Sequence, residues 1–328
     1  MLALVVTAFG GTDVLQVVEQ PIPEPSEGQI RIRVKAASVN FSDVMARQGR
    51  YHNASQPPFV PGLDVAGTVD AVGAGVTTFV PGQRVVAFPS GGSYSEYTLA
   101  DVALTYAIPE TITFDTAAAM LTVSVTSYEL LTKVTHLLPG ERVLVHAAAG
   151  GIGTVALQLA KHLGAGLVIG TVGRDEKMAV AKAHGADVVI NYSHGSFADA
   201  VMAATDSHGV DVILDSVAGD AFSDNLRCLA NFGRIAAFGS ASGKPGYVAT
   251  TELHGSCRSV LGYSMGTTRR LRKESLRASV EAVLTLAAND QLMIPISAKF
   301  PFEEGAKAHK FLESRTSTGK ILLTMDRV

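Results

Sequence analysis

Three glycines in this sequence, Gly150, Gly151 and Gly153, have a type and spacing suited to binding a phosphate group. They follow a short apolar run, residues 142–145, that is typical of a buried strand, and they lead into residues 152–163, whose apolar side chains recur at helical spacing. Because the turn carries no large side chains, its backbone can approach a pyrophosphate, and the first helical turn offers unpaired N–H groups. The pattern predicts a dinucleotide site; the alternative is a tight strand-to-helix turn without a ligand.

The elements that would position this turn are short apolar runs alternating with amphipathic stretches. Further strands are predicted at residues 167–172, 186–190, 210–216 and 234–239, and helices at 177–184 and 222–231. This rhythm is typical of a doubly wound parallel sheet, in which a cofactor lies at the carboxyl ends of the strands. We therefore expect an α/β fold with a Rossmann domain.

The end of the second predicted strand indicates which nicotinamide cofactor is bound. An NAD site needs a carboxylate there, about 20 residues beyond the glycines, to bind the ribose hydroxyl. Here Gly173 and Arg174 occupy that position, and Asp175 and Glu176 follow between Arg174 and Lys177. Two cations suit a 2′-phosphate, so NADPH is predicted. The alternative is a solvated helix start at which the acids favour the helix dipole.

The two ends of the chain have a different residue pattern, one that is typical of β-strands. Residues 30–35 alternate apolar and cationic side chains, as in a half-exposed strand. Other strands are expected at residues 64–73, 83–88, 294–300 and 320–325. We predict a β-rich domain that the C-terminal strands complete, formed by residues 1–122 and 266–328, with the nucleotide-binding domain inserted as residues 123–265.

Composition limits the classes of function. The chain has 328 residues, of which 47% are hydrophobic, enough to bury the cores of two domains. A net charge of -3 gives no reason to expect nucleic acid or an anionic membrane as a partner, and no apolar run reaches the roughly 18–20 residues of a membrane span. Cys228 and Cys257 form neither a metal-binding spacing nor a disulfide framework, so a cytoplasmic protein is expected.

Several motifs occur along the chain in an order that resembles one family. They are ASVNFSDVMARQG at residues 37–49, PGLDVAGTV at 61–69, GQRVV at 82–86, GGSYSEY at 91–97, HAAAGGIG at 146–153 and GKILL at 319–323. Together they are similar, over essentially the whole chain, to the zinc-free quinone oxidoreductase branch of the medium-chain dehydrogenase/reductase superfamily, which includes zeta-crystallin. The resemblance implies a GroES-like catalytic domain beside the Rossmann domain, NADPH-dependent reduction of quinones or activated alkenes, and a homodimer.

The resemblance also extends the predicted cofactor site. It assigns the 2′-phosphate to Lys177 and adds Tyr192, and it implies that the nicotinamide carboxamide lies near residues 238–240. The complete predicted set is Tyr128, Ala149, Gly150, Gly151, Ile152, Gly153, Gly173, Arg174, Lys177, Tyr192, Ser216, Phe238, Gly239, Ser240 and Arg315.

The candidate catalytic residues follow from the zinc ligands that this chain lacks. In zinc-dependent relatives a cysteine lies near residues 40–43, and a Gly-His-Glu sequence stands where this chain has Gly-Leu-Asp at residues 62–64. Asn40 and Leu63 cannot supply those ligands, so a metal-free site is predicted. Hydrogen-bond donors must then stabilise charge on the acceptor oxygen, and Asn40 is the first candidate, with Asp43 and Tyr51 nearby.

Alternatives remain open for these residues and for the function. Asn40 can serve simply as a turn residue and Asp43 as a helix-start residue. Met45 stands where the family often has a second tyrosine, which leaves a tyrosine pair in doubt. The chain is predicted to reduce a quinone or a conjugated carbonyl; the alternatives are an enone or enoyl-thioester reductase and a non-enzymatic, crystallin-like NADPH-binding protein.

Overall fold

The computed structural model of this chain describes residues 1–51 and 55–325. They form two compact units: unit 1 comprises the described residues within Met1–Val125 and Met265–Val328, and unit 2 comprises Thr126–Ser264. Unit 1 is thus built from both ends of the chain, and unit 2 is inserted between them.

The secondary structure elements are numbered along the chain. The strands are β1 (Leu2–Val6), β2 (Leu15–Glu19), β3 (Gln29–Val39), β4 (Val65–Val72), β5 (Arg84–Ala87), β6 (Tyr97–Asp101), β7 (Thr105–Ala107), β8 (Arg142–Val145), β9 (Leu167–Val172), β10 (Val188–Asn191), β11 (Val210–Asp215), β12 (Leu229–Ala237), β13 (Ser259–Gly262), β14 (Ile296–Pro301) and β15 (Lys320–Thr324). The helices are α1 (Phe41–Arg47), α2 (Phe114–Glu129), α3 (Gly151–His162), α4 (Met178–Ala183), α5 (Phe197–Ala204), α6 (Ala221–Cys228), α7 (Thr251–His254), α8 (Met265–Leu271), α9 (Arg277–Ala288) and α10 (Gly305–Glu313).

Unit 2 contains the predicted parallel sheet. Its strand order is β10-β9-β8-β11-β12-β13, and every pairing described within this sheet is parallel. The chain leaves β8 for β9 on one side and reaches β11 on the other, so the strand order reverses at β8, where such sheets bind ligands. The doubly wound Rossmann arrangement is confirmed.

One prediction in unit 2 was wrong. A helix was expected over residues 222–231, but α6 ends at Cys228 and β12 begins at Leu229. Leu229 has an extended backbone and pairs with Val210 of β11. This pairing joins residues far apart in sequence, so helical spacing within the segment gave no sign of it.

Unit 1 is organised around the long strand β3. Its sheet has the order β14-β15-β3-β4-β5-β7, with β6 also paired to β3, and these pairings are antiparallel except for that of β14 with β15. Ile30, Ile32 and Val34 are buried, as the alternating pattern predicted.

The register of β3 determines which residues lie at its carboxyl end. Val39 pairs with Ile321 of β15 on one side, and Ala37 pairs with Val65 of β4 on the other. The first residues of β15 and β4 are therefore brought beside the last residues of β3. Within residues 1–51 and 55–325, no helix has both the length and the apolar character to span a bilayer.

Candidate functional site

A group of buried polar residues lies where β3, β4 and β15 meet in unit 1. It consists of Ser38, Asn40, Asp43, Asp64 and Lys320, and is called the polar cluster below. Ser38 lies in β3, Asn40 and Asp43 begin α1, Asp64 precedes β4, and Lys320 begins β15. Strand register thus brings Lys320 to Asn40, which lies 280 positions away in sequence.

Asn40 uses both ends of its side chain within this cluster. Its Oδ1 accepts a hydrogen bond from Lys320 Nζ at 2.6 Å. Its Nδ2 lies 3.2 Å from Ser38 Oγ and 3.4 Å from both Asp64 Oδ1 and the Ser38 carbonyl oxygen. The amide nitrogen therefore has longer contacts than the amide oxygen, compared with about 2.9–3.0 Å for an ordinary N–H···O bond.

Asp43 and Asp64 are both buried beside Asn40, but their partners differ. Asp43 Oδ2 accepts from the Asn40 backbone N–H at 2.8 Å and from Tyr94 Oη at 3.0 Å. Asp64 accepts from Ser38 Oγ at 2.5 Å and from the Thr122 backbone N–H at 3.2 Å.

Burial has shifted the protonation equilibria of this cluster. It raises the pKa of Asp43 to about 7, because desolvation outweighs the hydrogen bond from the Asn40 backbone. Burial also lowers the pKa of Lys320, although the nearby Asp64 and Asp43 favour its charged form. Perturbed groups of this kind are concentrated at functional sites.

Tyr51 and Arg269 adjoin the polar cluster. Burial raises the pKa of Tyr51. The charge of Arg269 opposes this rise and the charge of Asp43 adds to it, so the three groups interact electrostatically. Arg269 donates from Nη1 to the Leu63 carbonyl oxygen at 2.8 Å, and its Cζ lies 5.0 Å from the centre of the Phe88 ring. Its buried Nε has no hydrogen-bond partner among the described residues.

These contacts define what the cluster can do chemically. Asn40 and Tyr51 carry hydrogen-bond donors, and the side chain of Asp43 can hold a proton near neutral pH. No group of three histidine, cysteine or acidic residues that could hold a metal ion occurs in the described part of the chain. The arrangement suits stabilisation of negative charge on an oxygen atom.

The glycine turn lies in unit 2 between β8 and α3, as predicted. Gly150 precedes the first turn of α3, and its backbone N–H donates to the Ala147 carbonyl oxygen at 2.8 Å. A Cβ atom at Gly153 would lie 2.3 Å from that same oxygen. Gly153 therefore allows α3 to pack closely against the turn, while Ala149, Gly151 and Ile152 complete the segment.

The predicted 2′-phosphate region lies at the ends of β9 and β10. A Cβ atom at Gly173 would lie 2.4 Å from Tyr192 Oη, so glycine is needed for Tyr192 to lie against the end of β9. Arg174 is exposed and Lys177 is half-buried. The structure thus brings Tyr192 against Gly173, and Arg174 and Lys177 follow Gly173 closely in the chain.

The acidic residue beside those cations, Asp175, already has hydrogen-bonding partners within the protein. Asp175 Oδ1 accepts from Asn191 Nδ2 at 2.7 Å, and Asp175 Oδ2 lies 3.4 Å from His194 Nε2. Neither Asn191 nor His194 was among the predicted cofactor-binding residues. They hold the carboxyl group of Asp175 toward β10.

The remaining predicted residues of unit 2 lie in two adjacent loops. The Ser216 carbonyl oxygen accepts from the Ala241 backbone N–H at 3.0 Å, and a Cβ atom at Gly239 would lie 2.8 Å from that oxygen. Phe238 and Ser240 flank Gly239, so the structure brings Ser216 together with all three.

A buried hydrogen-bond network supports the loop that contains Ser216. Asp215 Oδ1 accepts from two loop N–H groups at 2.7 and 3.0 Å, and its Oδ2 accepts from Asn225 Nδ2 at 3.1 Å. Asn225 Oδ1 lies 2.7 Å from His146 Nε2, and His146 Nδ1 lies 2.8 Å from Thr171 Oγ1. We call Thr171, His146, Asn225 and Asp215 the histidine network. Sequence reasoning assigned no role to His146, because its hydrogen-bond partners Thr171 and Asn225 come from two other elements.

Two predicted cofactor residues lie apart from these groups in the chain. Tyr128 is half-buried near the end of α2, in the part of that helix that belongs to unit 2. Arg315 belongs to unit 1, where it follows α10, is exposed, and has a left-handed backbone with φ of 57°. The catalytic candidates Asn40, Asp43 and Tyr51 also belong to unit 1, whereas the other predicted cofactor residues belong to unit 2.

Sequence reasoning missed two cations at this site, Lys320 and Arg269. Lys320 was noted only as part of a C-terminal motif, and Arg269 was not noted at all. A lysine that opens an apolar strand, as in KILLT, is a weak signal of a buried cation, because it interrupts an otherwise apolar run. No local pattern distinguishes Arg269 from the exposed Arg270 beside it.

Comparison with known protein families agrees with this two-part organisation. The profile of the alcohol dehydrogenase GroES-like domain matches residues 26–110. The profile of the zinc-binding dehydrogenase family matches residues 151–283. The first match lies within unit 1, and most of the second lies within unit 2.

Individual relatives are similar over nearly the whole chain. The chain is 38% identical to the quinone oxidoreductase of Pseudomonas aeruginosa, covering 96% of this chain and 97% of that protein. It is 34% identical to the 2-haloacrylate reductase of a Burkholderia species, covering 98% of both. The structure of Escherichia coli quinone oxidoreductase complexed with NADPH is 33% identical, with a TM-score of 0.93 and coverage of 99% and 100%.

Proposed function

This chain belongs to the quinone oxidoreductase branch of the medium-chain dehydrogenase/reductase superfamily and is an oxidoreductase, and from that premise we propose that it uses NADPH to reduce a quinone or a conjugated carbonyl compound without a metal ion. The observation that carries the proposal is the polar cluster. It surrounds Asn40 with fixed charged groups where, by the family resemblance, zinc-dependent members have metal ligands.

The residues of unit 2 fit NADPH. Gly173 leaves the space that Tyr192 occupies at the end of β9, beside Arg174 and Lys177. These cations suit a 2′-phosphate, and the engagement of Asp175 with Asn191 keeps that acid from acting as a free ribose ligand. The glycine turn before α3 offers backbone N–H groups to a pyrophosphate.

The residues of unit 1 would act on the acceptor. NADPH, when bound, supplies the hydride. Asn40 Nδ2 and Tyr51 Oη are the donors that would stabilise the charge developing on the acceptor oxygen. Each hydride accepted also requires a proton, and the Asp43 carboxyl group, with its pKa raised to about 7 by burial, can hold one.

We propose metal independence from the contacts of two cations. The Arg269 guanidinium donates to the Leu63 carbonyl oxygen, and Lys320 Nζ donates to Asn40 Oδ1. Positive charge at both places opposes the binding of a metal ion. Elemental analysis should find no stoichiometric zinc, and EDTA should leave the rate unchanged. Loss of activity on chelation, restored by zinc, would overturn this part of the proposal.

A spectrophotometric acceptor screen tests the reaction. NADPH oxidation should be followed with a quinone, an enone, an enoyl-thioester and a 2-haloacrylate, at matched concentrations. We expect the quinone or the enone to give the highest kcat/KM. A clear preference for the thioester would favour the alternative of an enoyl-thioester reductase. A clear preference for the haloacrylate, which a relative's name mentions, would replace the quinone as the proposed acceptor.

The third candidate function is a non-enzymatic, crystallin-like NADPH-binding protein. Tight NADPH binding without turnover of any acceptor would support that role. Robust alcohol oxidation without acceptor reduction would instead overturn the proposed reaction class, because the proposed site has no Lewis acid to lower a hydroxyl pKa.

We propose a homodimer and a cytoplasmic location as well. Strand β13 (Ser259–Gly262) forms one edge of the sheet of unit 2. An edge strand can pair with a two-fold mate, and light scattering that gives a monomer mass would contradict the dimer. Cys228 and Cys257 are both free thiols, as expected of a reducing compartment, and fractionation of the cells that produce the protein tests the location.

A further inference from the structure

We propose that Lys320 is a positioning residue for acceptor reduction. Its ammonium group holds the Asn40 carboxamide in one orientation and polarises it, so that the amide N–H is presented to the acceptor oxygen. This inference rests on the proposed function. It assigns a role to a buried cation that lies 280 residues from Asn40 in sequence.

The orientation follows from the chemistry of the two side chains. A carboxamide can turn by 180° and exchange its oxygen for its nitrogen with little change in shape. A lysine ammonium only donates hydrogen bonds, so the Asn40 atom that it contacts at 2.6 Å must be the oxygen. Nδ2 is thereby fixed on the opposite side, and the side chain is held as a donor.

The distances indicate polarisation of the carboxamide. A bond of 2.6 Å from an ammonium to an amide oxygen is short and charge-assisted. It draws electron density from the amide group and makes the N–H a stronger donor. The contacts of Nδ2 span 3.2 to 3.4 Å, so this N–H is only weakly engaged and is available to an acceptor oxygen.

The position of Lys320 is fixed by the sheet. The next residue, Ile321, pairs with Val39, and Lys320 Nζ also lies 3.4 Å from the Val39 carbonyl oxygen. The lysine is therefore anchored to the strand that leads directly into Asn40. Sites built on paired strands hold their geometry better than sites on loops.

Burial of this charge also calls for an explanation. Lys320 is 3% exposed, and a buried ammonium is costly unless other groups compensate it. Asp64 and Asp43 favour its charged form. These carboxyl groups therefore oppose the effect of burial, which lowers the pKa of Lys320, and favour a cation against Asn40, where a neutral side chain would satisfy packing alone.

Three substitutions separate the parts of this role. Lys320→Gln keeps a donor but removes the charge, Lys320→Arg keeps the charge, and Lys320→Met removes both. We expect kcat/KM for the acceptor to fall least in the arginine variant and roughly tenfold or more in the methionine variant, less than the loss of an oxyanion donor. The dissociation constant for NADPH should not change. Lys307→Met, at an exposed lysine of the same unit, is the matched control.

A double-mutant cycle with Asn40→Ala decides between positioning and mere support of the fold. If Lys320 acts through Asn40, the Lys320 substitutions should have no further effect on kcat/KM once Asn40 is alanine. Equal effects in both backgrounds, or unchanged kinetics in the Gln and Met variants, would overturn the inference. If Lys320→Met does not fold, the Gln and Arg variants complete the same cycle.

Failure of the inference can be told apart from failure of the proposed function. Wild-type turnover with NADPH tests the function, and the cycle tests Lys320 once turnover is seen. A wild-type protein that turns over no acceptor rejects both. The side-chain amide resonances of Asn40, assigned by their loss in Asn40→Ala, give a second readout. They should shift in Lys320→Gln and stay unchanged in Lys307→Met.

Discussion

The polar cluster of unit 1 and the histidine network of unit 2 are both buried, but they satisfy their polar groups in different ways. The histidine network consists of one carboxyl group, that of Asp215, together with an imidazole, an amide and a hydroxyl, each within 3.1 Å of its partner. The polar cluster contains two carboxyl groups and an ammonium, and the longest of its contacts reach 3.4 Å.

This difference shows how a structural network is distinguished from a reactive one. In the histidine network every side-chain acceptor is paired with at least one suitable donor. Asn225 donates a hydrogen bond from Nδ2 to Asp215, which leaves Asn225 Oδ1 to accept from His146 Nε2. The other ring nitrogen, His146 Nδ1, then accepts from Thr171 Oγ1. In the polar cluster desolvation exceeds the local compensation, and it raises the pKa of Asp43 to about 7. The first network holds a loop, whereas the second retains a group that titrates and a weakly bound donor.

The largest effect that we expect comes from Asn40→Ala. Loss of its N–H should lower kcat/KM for the acceptor on the order of 10²-fold, as for other donors to a developing oxyanion. Steady-state kinetics at saturating NADPH measures this effect, and fluorescence titration should show unchanged NADPH affinity. Asn191→Ala, in unit 2, is the control and should leave the kcat for the acceptor intact. An Asn40→Ala enzyme with wild-type acceptor kinetics would remove the distinction drawn between the two networks.

The next effect concerns the cations at the end of β9. Lys177→Ala should raise the KM for NADPH by roughly 10- to 100-fold, since a charge-assisted hydrogen bond contributes about 1.5–3 kcal/mol, and should barely affect NADH. Lys182→Ala provides a matched control, because Lys182 lies on α4 and donates to the Asp187 carbonyl oxygen. Equal losses with both cofactors would show that Lys177 does not bind the 2′-phosphate.

His146→Leu tests the other side of the comparison. It leaves Asn225 Oδ1 and Thr171 Oγ1 without their partner, and each buried unsatisfied group costs about 1–3 kcal/mol. We expect a lower stability in urea and weaker NADPH binding, with kcat at saturating NADPH nearly unchanged. His162→Leu, on the exposed face of α3, is the control and should have little effect on stability. A selective fall in kcat would mean that this network takes part in the chemistry.

Most of the fold could be predicted because its signals are local. The strand at residues 167–172 has the predicted bounds, and the glycine turn lies between the predicted strand and helix. The error at residues 229–231 arose where the pairing of Leu229 with Val210 overrode helical spacing. Short apolar segments can form either structure, and tertiary pairing decides between them.

The candidate site was predictable in part for the same reason. Asn40 and Asp43 stand together at a helix start and are joined by a local hydrogen bond, so sequence reasoning could find them. Lys320 reaches Asn40 only through the register of β15 with β3, and Arg269 reaches Leu63 across 206 residues. Contacts of that range leave no periodicity in the sequence.

The smallest effect that we expect is a pH-dependent loss of folding stability caused by burial of the Asp43 carboxyl group. Its folded pKa of about 7 lies above the unfolded value of 3.8, so the folded state holds a proton that the unfolded state has already lost between these two values. Stability therefore falls as pH rises from about 4 to 7, and the penalty is complete above that range. The charged and titratable groups around Asp43 are Asp64, Tyr94, Lys320, Arg269 and Tyr51.

Asp43→Asn should remove this pH-dependent penalty while keeping the shape of the side chain. The new Oδ1 can still accept from the Asn40 N–H and from Tyr94 Oη, so the hydrogen bonds that hold α1 are retained. We expect the free energy of unfolding of the variant, relative to wild type, to increase from pH 5 to pH 8 in urea titrations. Asp13→Asn, at an exposed position of unit 1, should give a curve parallel to wild type. Parallel curves for Asp43→Asn as well would show that Asp43 does not titrate near neutral pH, and the polar cluster would then lose its proton-holding group.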